Sequence, residues 1–373
     1  SCCTFDAFSI LFRYDPVTLQ YEKLVNFNEI INGANPNGSV IEAKDGKLYG
    51  MTSKGGTQDK GVIFQYNMAT KTYKKLYDFD GSNGAGPESS FIEGKDGKLY
   101  GMTATGGKED YGVLFQFDPA TSAFVKKFDF DGIQNGGNPQ GTLTQAKNGK
   151  LYGLTSGGGK DDFGVLFEYD LSTSTYTKKV EFTGDADGGY PYGSLVEAND
   201  GNLYGVTSGG GANKYGVIFQ FDPAASAYKV KFDFDDIVSG SAPQSSLIQA
   251  KDGKLYGTTE YGGTHEDGVV FQYDITTSSY TKKFEFNDLG KLTGKYSIGA
   301  LIQASNGMLY GMGYNGGIDN SGVLYKFDPA TSTFNKEFDF HQAGNGSRPV
   351  GAMIQAKDKM LYGVTQFGGI HNN

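Results

Sequence analysis

Pro243-Gln-Ser-Ser-Leu-Ile-Gln-Ala-Lys-Asp252-Gly-Lys-Leu255-Tyr-Gly-Thr-Thr-Glu-Tyr-Gly262-Gly263 is one copy of a pattern that recurs along the whole chain. Its centre, Leu-Tyr-Gly, begins at Leu48, Leu99, Leu151, Leu203, Leu255, Leu309 and Leu361, with successive spacings of 51, 52, 52, 52, 54 and 52 residues. After each of the first six copies comes Gly-Gly, four variable residues and Gly-Val, as at Gly61, Gly112 and Gly164. A fixed period of this length marks a repeat architecture, in which each unit buries its apolar face against its neighbours.

Each copy reads as four short strands. Strand A is the run of the type Ser194–Ala198, and strand B carries Leu-Tyr-Gly. Strand C is the Gly-Val-Leu-Phe-Gln-Phe-Asp type, and strand D resembles Phe124–Phe130. Alternation such as Leu166, Glu168 and Asp170 against Phe167 and Tyr169 is the period of two expected of strands. Asp-Gly or Asn-Gly joins A to B in six copies, which predicts a two-residue type I′ hairpin turn. The seventh copy has Asp358-Lys359 instead and is expected to hold a strained version of that turn. Four strands per unit predict propeller blades.

The two ends set the number of blades. The chain stops at Asn373 inside a B–C loop, so its last unit lacks strands C and D. Residues 9–16 match strand C and Tyr21–Phe27 match strand D. The reading is therefore an all-β, seven-bladed propeller over residues 8–373, its last blade combining residues 350–373 with 8–27. Residues 1–7 are set apart as a tail. Closure of this kind removes the free sheet edges that otherwise invite aggregation.

The unit Pro-x-Gly-x-Leu-Ile-Gln-Ala-x-Asp-Gly-x-Leu-Tyr-Gly-x-Thr-x-x-Gly-Gly, seen with some substitutions in Pro191–Gly211 and Pro243–Gly263, resembles the Gloeobacter/Verrucomicrobia-type tandem repeat of secreted bacterial propeller proteins. The sixth copy departs from it, with Ser297 at the Pro position. The resemblance implies export and a place at the cell surface. It implies no defined activity and no catalytic residues.

Composition narrows the function classes. With 57 Gly, 25 Tyr and 27 Phe, the chain suits many short strands and tight turns. The net charge is −9 with no run of Lys or Arg, which argues against a nucleic-acid partner or an anionic membrane. No stretch of 18 apolar residues spans a bilayer. Cys2 and Cys3 are the two cysteines, so the body has no disulfide framework or Cys-based zinc site. Ser1-Cys2 fits the end of a bacterial lipoprotein signal, with Cys2 lipidated; a trimmed upstream segment gives the same start.

Residues shared by every blade read as structural. The series Glu42, Glu93, Gln145, Glu197, Gln249, Gln303 and Gln355 is expected to satisfy backbone groups between blades, with a cation-binding ring as the alternative. Function is expected where the copies differ, in the B–C and D–A loops of one face, here called the top. The residue before Gly-Gly is Lys54, Thr105, Gly157 and Gly209 in four copies, then Tyr261, Asn315 and Phe367. With Tyr314, Tyr190 and Tyr192, these form a candidate aromatic and amide surface for sugar stacking; packing among the loops is the plainer account. His265 and His371 share a loop position two blades apart and complete the candidate ligand-binding set. No catalytic signature is present, and no cofactor or metal is expected. Asp185-Ala186-Asp187-Gly188 resembles the start of a calcium loop but lacks the downstream Glu.

The functional expectation is a secreted or surface binding or scaffolding module for a protein or glycan. A polysaccharide lyase or glycosidase with its site at the top of the channel is the alternative, and a structural subunit of a larger surface assembly is a third reading. Arg occurs only at positions 13 and 348, which disfavours a lyase that must neutralise a uronate.

Overall fold

The computed structural model describes residues 9–368 apart from 288, 290, 291 and 343. Cys2 and His371 lie outside the described residues. Within them are seven four-stranded antiparallel sheets. Blade 5 is representative, with strands Ile248–Gln249, Leu255–Thr258, Val269–Asp274 and Ser279–Glu285 paired in sequence order.

The seventh sheet is the closing blade. Strands Ser347–Gln355 and Leu361–Phe367 supply its inner half, and Ile10–Tyr14 and Tyr21–Asn26 its outer half. Ile10 pairs with Thr365 and Tyr14 with Leu361, an unbroken antiparallel ladder between segments from opposite ends of the chain.

No single core exists. The buried side chains fall into seven clusters, one per interface between blades, among the described residues. The interface of blades 6 and 7 joins Ile10, Phe12, Tyr14 and Leu361 to Tyr310, Met312, Leu324 and Phe340. At five interfaces rings of adjacent D strands stack almost parallel, including Phe232 on Tyr280 at 4.2 Å and Phe338 on Tyr21 at 4.5 Å. Such pairs add about 0.5–1.5 kcal/mol beyond area burial.

The Leu-Tyr-Gly motif follows from this packing. The glycine sits opposite an aromatic residue of strand C, whose ring lies across it. A Cβ at Gly257 would come within 2.6 Å of Phe271, and one at Gly363 within 2.6 Å of Phe12. The tyrosine is buried, and in five blades its hydroxyl donates to the Asp four residues earlier, as Tyr256 does to Asp252 at 2.8 Å.

The strand A series forms a complete ring. Each Glu or Gln accepts the backbone N–H of the A–B turn in the preceding blade: Lys44 to Glu93, Lys95 to Gln145, Lys147 to Glu197, Asn199 to Gln249, Lys251 to Gln303, Ser305 to Gln355 and Lys357 to Glu42, at 2.7–3.1 Å. The structural reading of these residues holds. Nearer the other end of strand A, the hydroxyls of blades 1 to 5 accept backbone N–H groups from Ser39 to Ser90, Ser90 to Thr142, Thr142 to Ser194, Ser194 to Ser246 and Ala352 to Ser39.

Two local expectations change. In six blades strand A pairs over two residues only, such as Val196–Glu197, because its upper part turns to bond the neighbouring blade, while in the closing blade it pairs from Ser347 to Gln355. The A–B turn is not type I′. Its loop has three residues, Lys44, Asp45 and Gly46 in blade 1, with Gly46 donating to the Ala43 carbonyl and only Gly46 at positive φ. That is a type I turn closed by a left-handed residue. The Asp stays right-handed because its carboxylate accepts both the Lys47 N–H and the Tyr49 hydroxyl. In the last copy Lys359 occupies the glycine position at φ 71°, the strain expected there.

Candidate functional site

The D–A and B–C loops meet on one face, where backbone bridges join Ala34 to Lys54, Gly189 to Gly209 and Ser241 to Tyr261. At the centre of the ring, inside these loops, is a cavity of ≈ 650 Å³ lined by the upper ends of strands A and the residues leaving strands B. The glycines and hydroxyls of strand A, such as Gly141, Thr142, Gly193 and Ser194, also line it. Blades approach so closely there that a Cβ at Gly193 would meet the backbone of Ser245.

Two repeat positions furnish the walls. The residue after the motif proline is Asn37, Glu88, Gln140, Tyr192, Gln244, Ile298 or Val350 in successive blades, and all seven line the cavity. The fifth residue after the motif leucine adds Glu260, Tyr314 and Gln366. The wall is therefore uneven. Blades 2 to 5 contribute two carboxylates, two amides and a phenol, while blades 6 and 7 contribute Ile298, Val350, Tyr314 and the Gln366 amide.

The polar groups differ in how they are held. Glu260 accepts hydrogen bonds from Gln244 and from the Tyr261 hydroxyl. Burial still raises its carboxyl above the usual range, opposed by those bonds. Glu88 is raised by burial alone and has no hydrogen-bond partner among the described residues. The Tyr192 hydroxyl is raised by burial and by the charges of Tyr190, Glu260 and Glu88, which places each of these within electrostatic reach of Tyr192. On the other side Tyr314 donates to Gln366 at 3.0 Å, and Gln366 to Asn37 at 3.3 Å. No Lys, Arg or His lines the cavity. Arg348 lies outside it, over the rings of Tyr314 and Phe367 at 5.5 and 5.4 Å. Among the described residues no group of three His, Cys, Asp or Glu is placed to hold a metal.

Of the residues singled out in the sequence, Tyr192 and Tyr314 face the cavity. Tyr190 packs on Phe163 at 5.0 Å, and Tyr261 stands edge-on to Tyr296 at 5.2 Å with its hydroxyl on Glu260. Asn315 is bridged to Lys295 through its backbone, and Phe367 sits under Arg348. His265 is bound to Glu285 and Asn287 at the outer side of its loop. Asp187 accepts hydrogen bonds from Thr183 and Asp185 pairs with Lys214, as suits a turn. Glu88, Gln140, Gln244, Glu260 and Gln366 were not singled out. Their signal is a position that varies between invariant neighbours: Glu260 and Tyr314 immediately precede the loop position chosen for its aromatics.

A family model for the Gloeobacter/Verrucomicrobia repeat matches residues 6–199 and 180–373. No curated protein matches in sequence. Among solved structures, the extracellular domain of a protein of B. thetaiotaomicron, assigned as a hybrid two-component system, superposes with a TM-score of 0.62 at 12% identity. The match covers 92% of this chain and 39% of that one, so this chain spans about two fifths of its length. A Bacteroides fragilis protein assigned as a 6-phosphogluconolactonase gives 0.59 at 16% identity, covering 97% and 99%. An oligogalacturonate lyase from Vibrio parahaemolyticus gives 0.57 at 12%, covering 96% and 98%. At these identities the likeness is one of fold. No helix among the described residues is long and apolar enough to cross a membrane.

Proposed function

This chain belongs to the Gloeobacter/Verrucomicrobia repeat family, and from that premise we propose that it is a non-catalytic binding module of an exported or surface protein, taking its ligand at the top-face mouth of the channel. One observation carries the reading. At two positions where a purely architectural repeat has no need to vary, ten dissimilar side chains converge on one ≈ 650 Å³ cavity. A concave site with a few convergent polar groups is where a ligand is expected. Export is supported by the family resemblance and by the extracellular domain among the similar folds.

The wall chemistry selects among ligands. Two carboxylates without a cation repel uronates and phosphorylated sugars, so the substrates named for the lyase and the lactonase above are poor fits. Uncharged sugar hydroxyls, amides and cations suit it. The test is a binding screen against neutral and uronic-acid polysaccharides and peptide libraries, with a Tyr192→Ala/Tyr314→Ala variant alongside. Ligands retained by the native chain and lost in the variant place the site at the mouth. Retention of every ligand by the variant removes the cavity from the reading.

A second reading has its own observation: Glu88 and Glu260 both face one cavity with carboxyls raised by burial, the direction in which a general acid is tuned. Turnover of a neutral oligosaccharide, abolished in Glu88→Gln and Glu260→Gln, establishes a polysaccharide-active enzyme instead.

A further inference from the structure

Large exposed apolar side chains are not spread evenly over the molecule. Among the described residues, those away from the top face are Val17, Leu19 and Val125. The top-face loops carry the others, and the densest sector is that of blades 5 and 6. There Ile237, Val238, Leu289 and Leu292 are 61–85% exposed, with Ile318 and Tyr261 beside them in the B–C loops of the same two blades. The repeat spacing reaches its longest value, 54 residues, between Leu255 and Leu309, and residues 287–297 are the D–A loop of that interval. The longest unit of the repeat thus contains a loop that places two leucines in solvent, an arrangement the fold does not require and one that marks an interaction surface.

The sector has a direction. A D–A loop runs from the outermost strand to the innermost, so its apolar part lies toward the rim and its far end at the cavity. Glu260, on the same blade as Ile237 and Val238, stands at that inner end, with Glu88 across the mouth and no cation in the wall. An apolar approach that ends in an unneutralised acidic mouth is complementary to a segment carrying apolar residues beside a basic one. A membrane of anionic lipid is opposed by the net charge of −9.

We propose that the top face of blades 5 and 6 docks a protein segment that lays apolar side chains on Ile237, Val238, Leu289 and Leu292 and places a Lys or Arg side chain in the cavity against Glu260 and Glu88. This rests on the top face being the binding face. The ammonium or guanidinium group finds two carboxylate acceptors and the Tyr192 hydroxyl. Docking neutralises carboxylates that the free protein holds against burial.

The test pans a random dodecapeptide phage library on the immobilised full chain and measures synthetic forms of the enriched peptides by calorimetry. The expected result is a consensus with Lys or Arg flanked by apolar residues. Affinity should fall at least about tenfold, or 1.4 kcal/mol, when norleucine replaces the basic residue. It should fall similarly in a Glu88→Gln/Glu260→Gln variant and in a Leu289→Ser/Leu292→Ser variant, both melting at least as stably as the native chain. The leucines are exposed and their replacement does not disturb the core. Enriched peptides without a basic residue, or affinities unchanged in both variants, overturn the proposal. So does the absence of any enriched motif. If in that case a neutral oligosaccharide binds and is lost in Tyr192→Ala/Tyr314→Ala, the binding reading stands and the protein partner alone is refuted; if nothing binds, both fall.

Discussion

Phe12→Ala tests whether the ring is closed by the two ends of the chain. Phe12 is fully buried, stacks on Tyr21 at 5.2 Å and meets Phe340 edge-on at 5.5 Å. Its matched control is Phe271 in blade 5, also fully buried, at 5.5 Å from Tyr280 and 5.3 Å from Phe234. Both rings lie across the glycine of a Leu-Tyr-Gly, yet only Phe12 is held by pairing between segments about 350 residues apart. Removing a buried Phe side chain costs about 3–5 kcal/mol, as lost transfer energy plus the cavity left behind. With unfolding entropy scaled to 373 residues, that corresponds to a melting temperature lower by about 4–6 °C. Both variants should show this loss by circular dichroism at pH 7.5, in one transition, since a closed ring has no independent terminal blade. Limited proteolysis with mass spectrometry should release the N-terminal strands from Phe12→Ala before any other fragment. A Phe12→Ala variant within about 1 °C of the native chain, while Phe271→Ala falls by the full amount, refutes the clasp.

Glu93→Gln should be nearly neutral, because four blades already carry Gln there, whereas Glu93→Leu strands the Lys44 N–H and should cost about 1–3 kcal/mol in chemical denaturation. Tyr21→Phe removes only the hydroxyl donated to the Asn345 carbonyl at 2.6 Å and should cost about 1 kcal/mol, which the same denaturation curves resolve. Burial alone would raise the Glu285 carboxyl, but hydrogen bonds from Thr264 and Lys282 bring it to about 2. Its folded value is below the unfolded one of about 4.3, so its stabilisation is complete above that pH and fades as pH falls toward 2. Glu285→Gln should therefore lower the melting temperature at pH 7, with the loss shrinking steadily as pH falls from about 4 toward 2. Glu88 has the opposite sign: its folded carboxyl is raised by burial, so the ionised form opposes folding above that value. Glu88→Gln should raise the melting temperature at pH 7.5, with the gain vanishing as the native carboxyl becomes protonated in acid. A variant no more stable at pH 7.5 contradicts the burial of that charge.

The sequence by itself determined the number of blades, the order of strands within each and the closure by the N-terminal segment. These follow from local signals repeated seven times: a period of two in the strands, a turn at a fixed offset and a glycine opposite an aromatic. The role of the Glu and Gln series was legible for the same reason, since a group present in every unit most simply serves the contact between units. The turn type was misread because Asp-Gly is compatible with two hairpin loops. The choice between them is made by the Asp45 carboxylate holding Lys47 and Tyr49, an interaction invisible in the dipeptide. The binding surface was legible only as a face. Tyr192 and Tyr314 were found, while Glu88, Gln140, Gln244 and Glu260 were hidden among strand ends. Only the tertiary structure brings them together, because in a closed ring the inner ends of strands some 52 residues apart in sequence become neighbours around one axis.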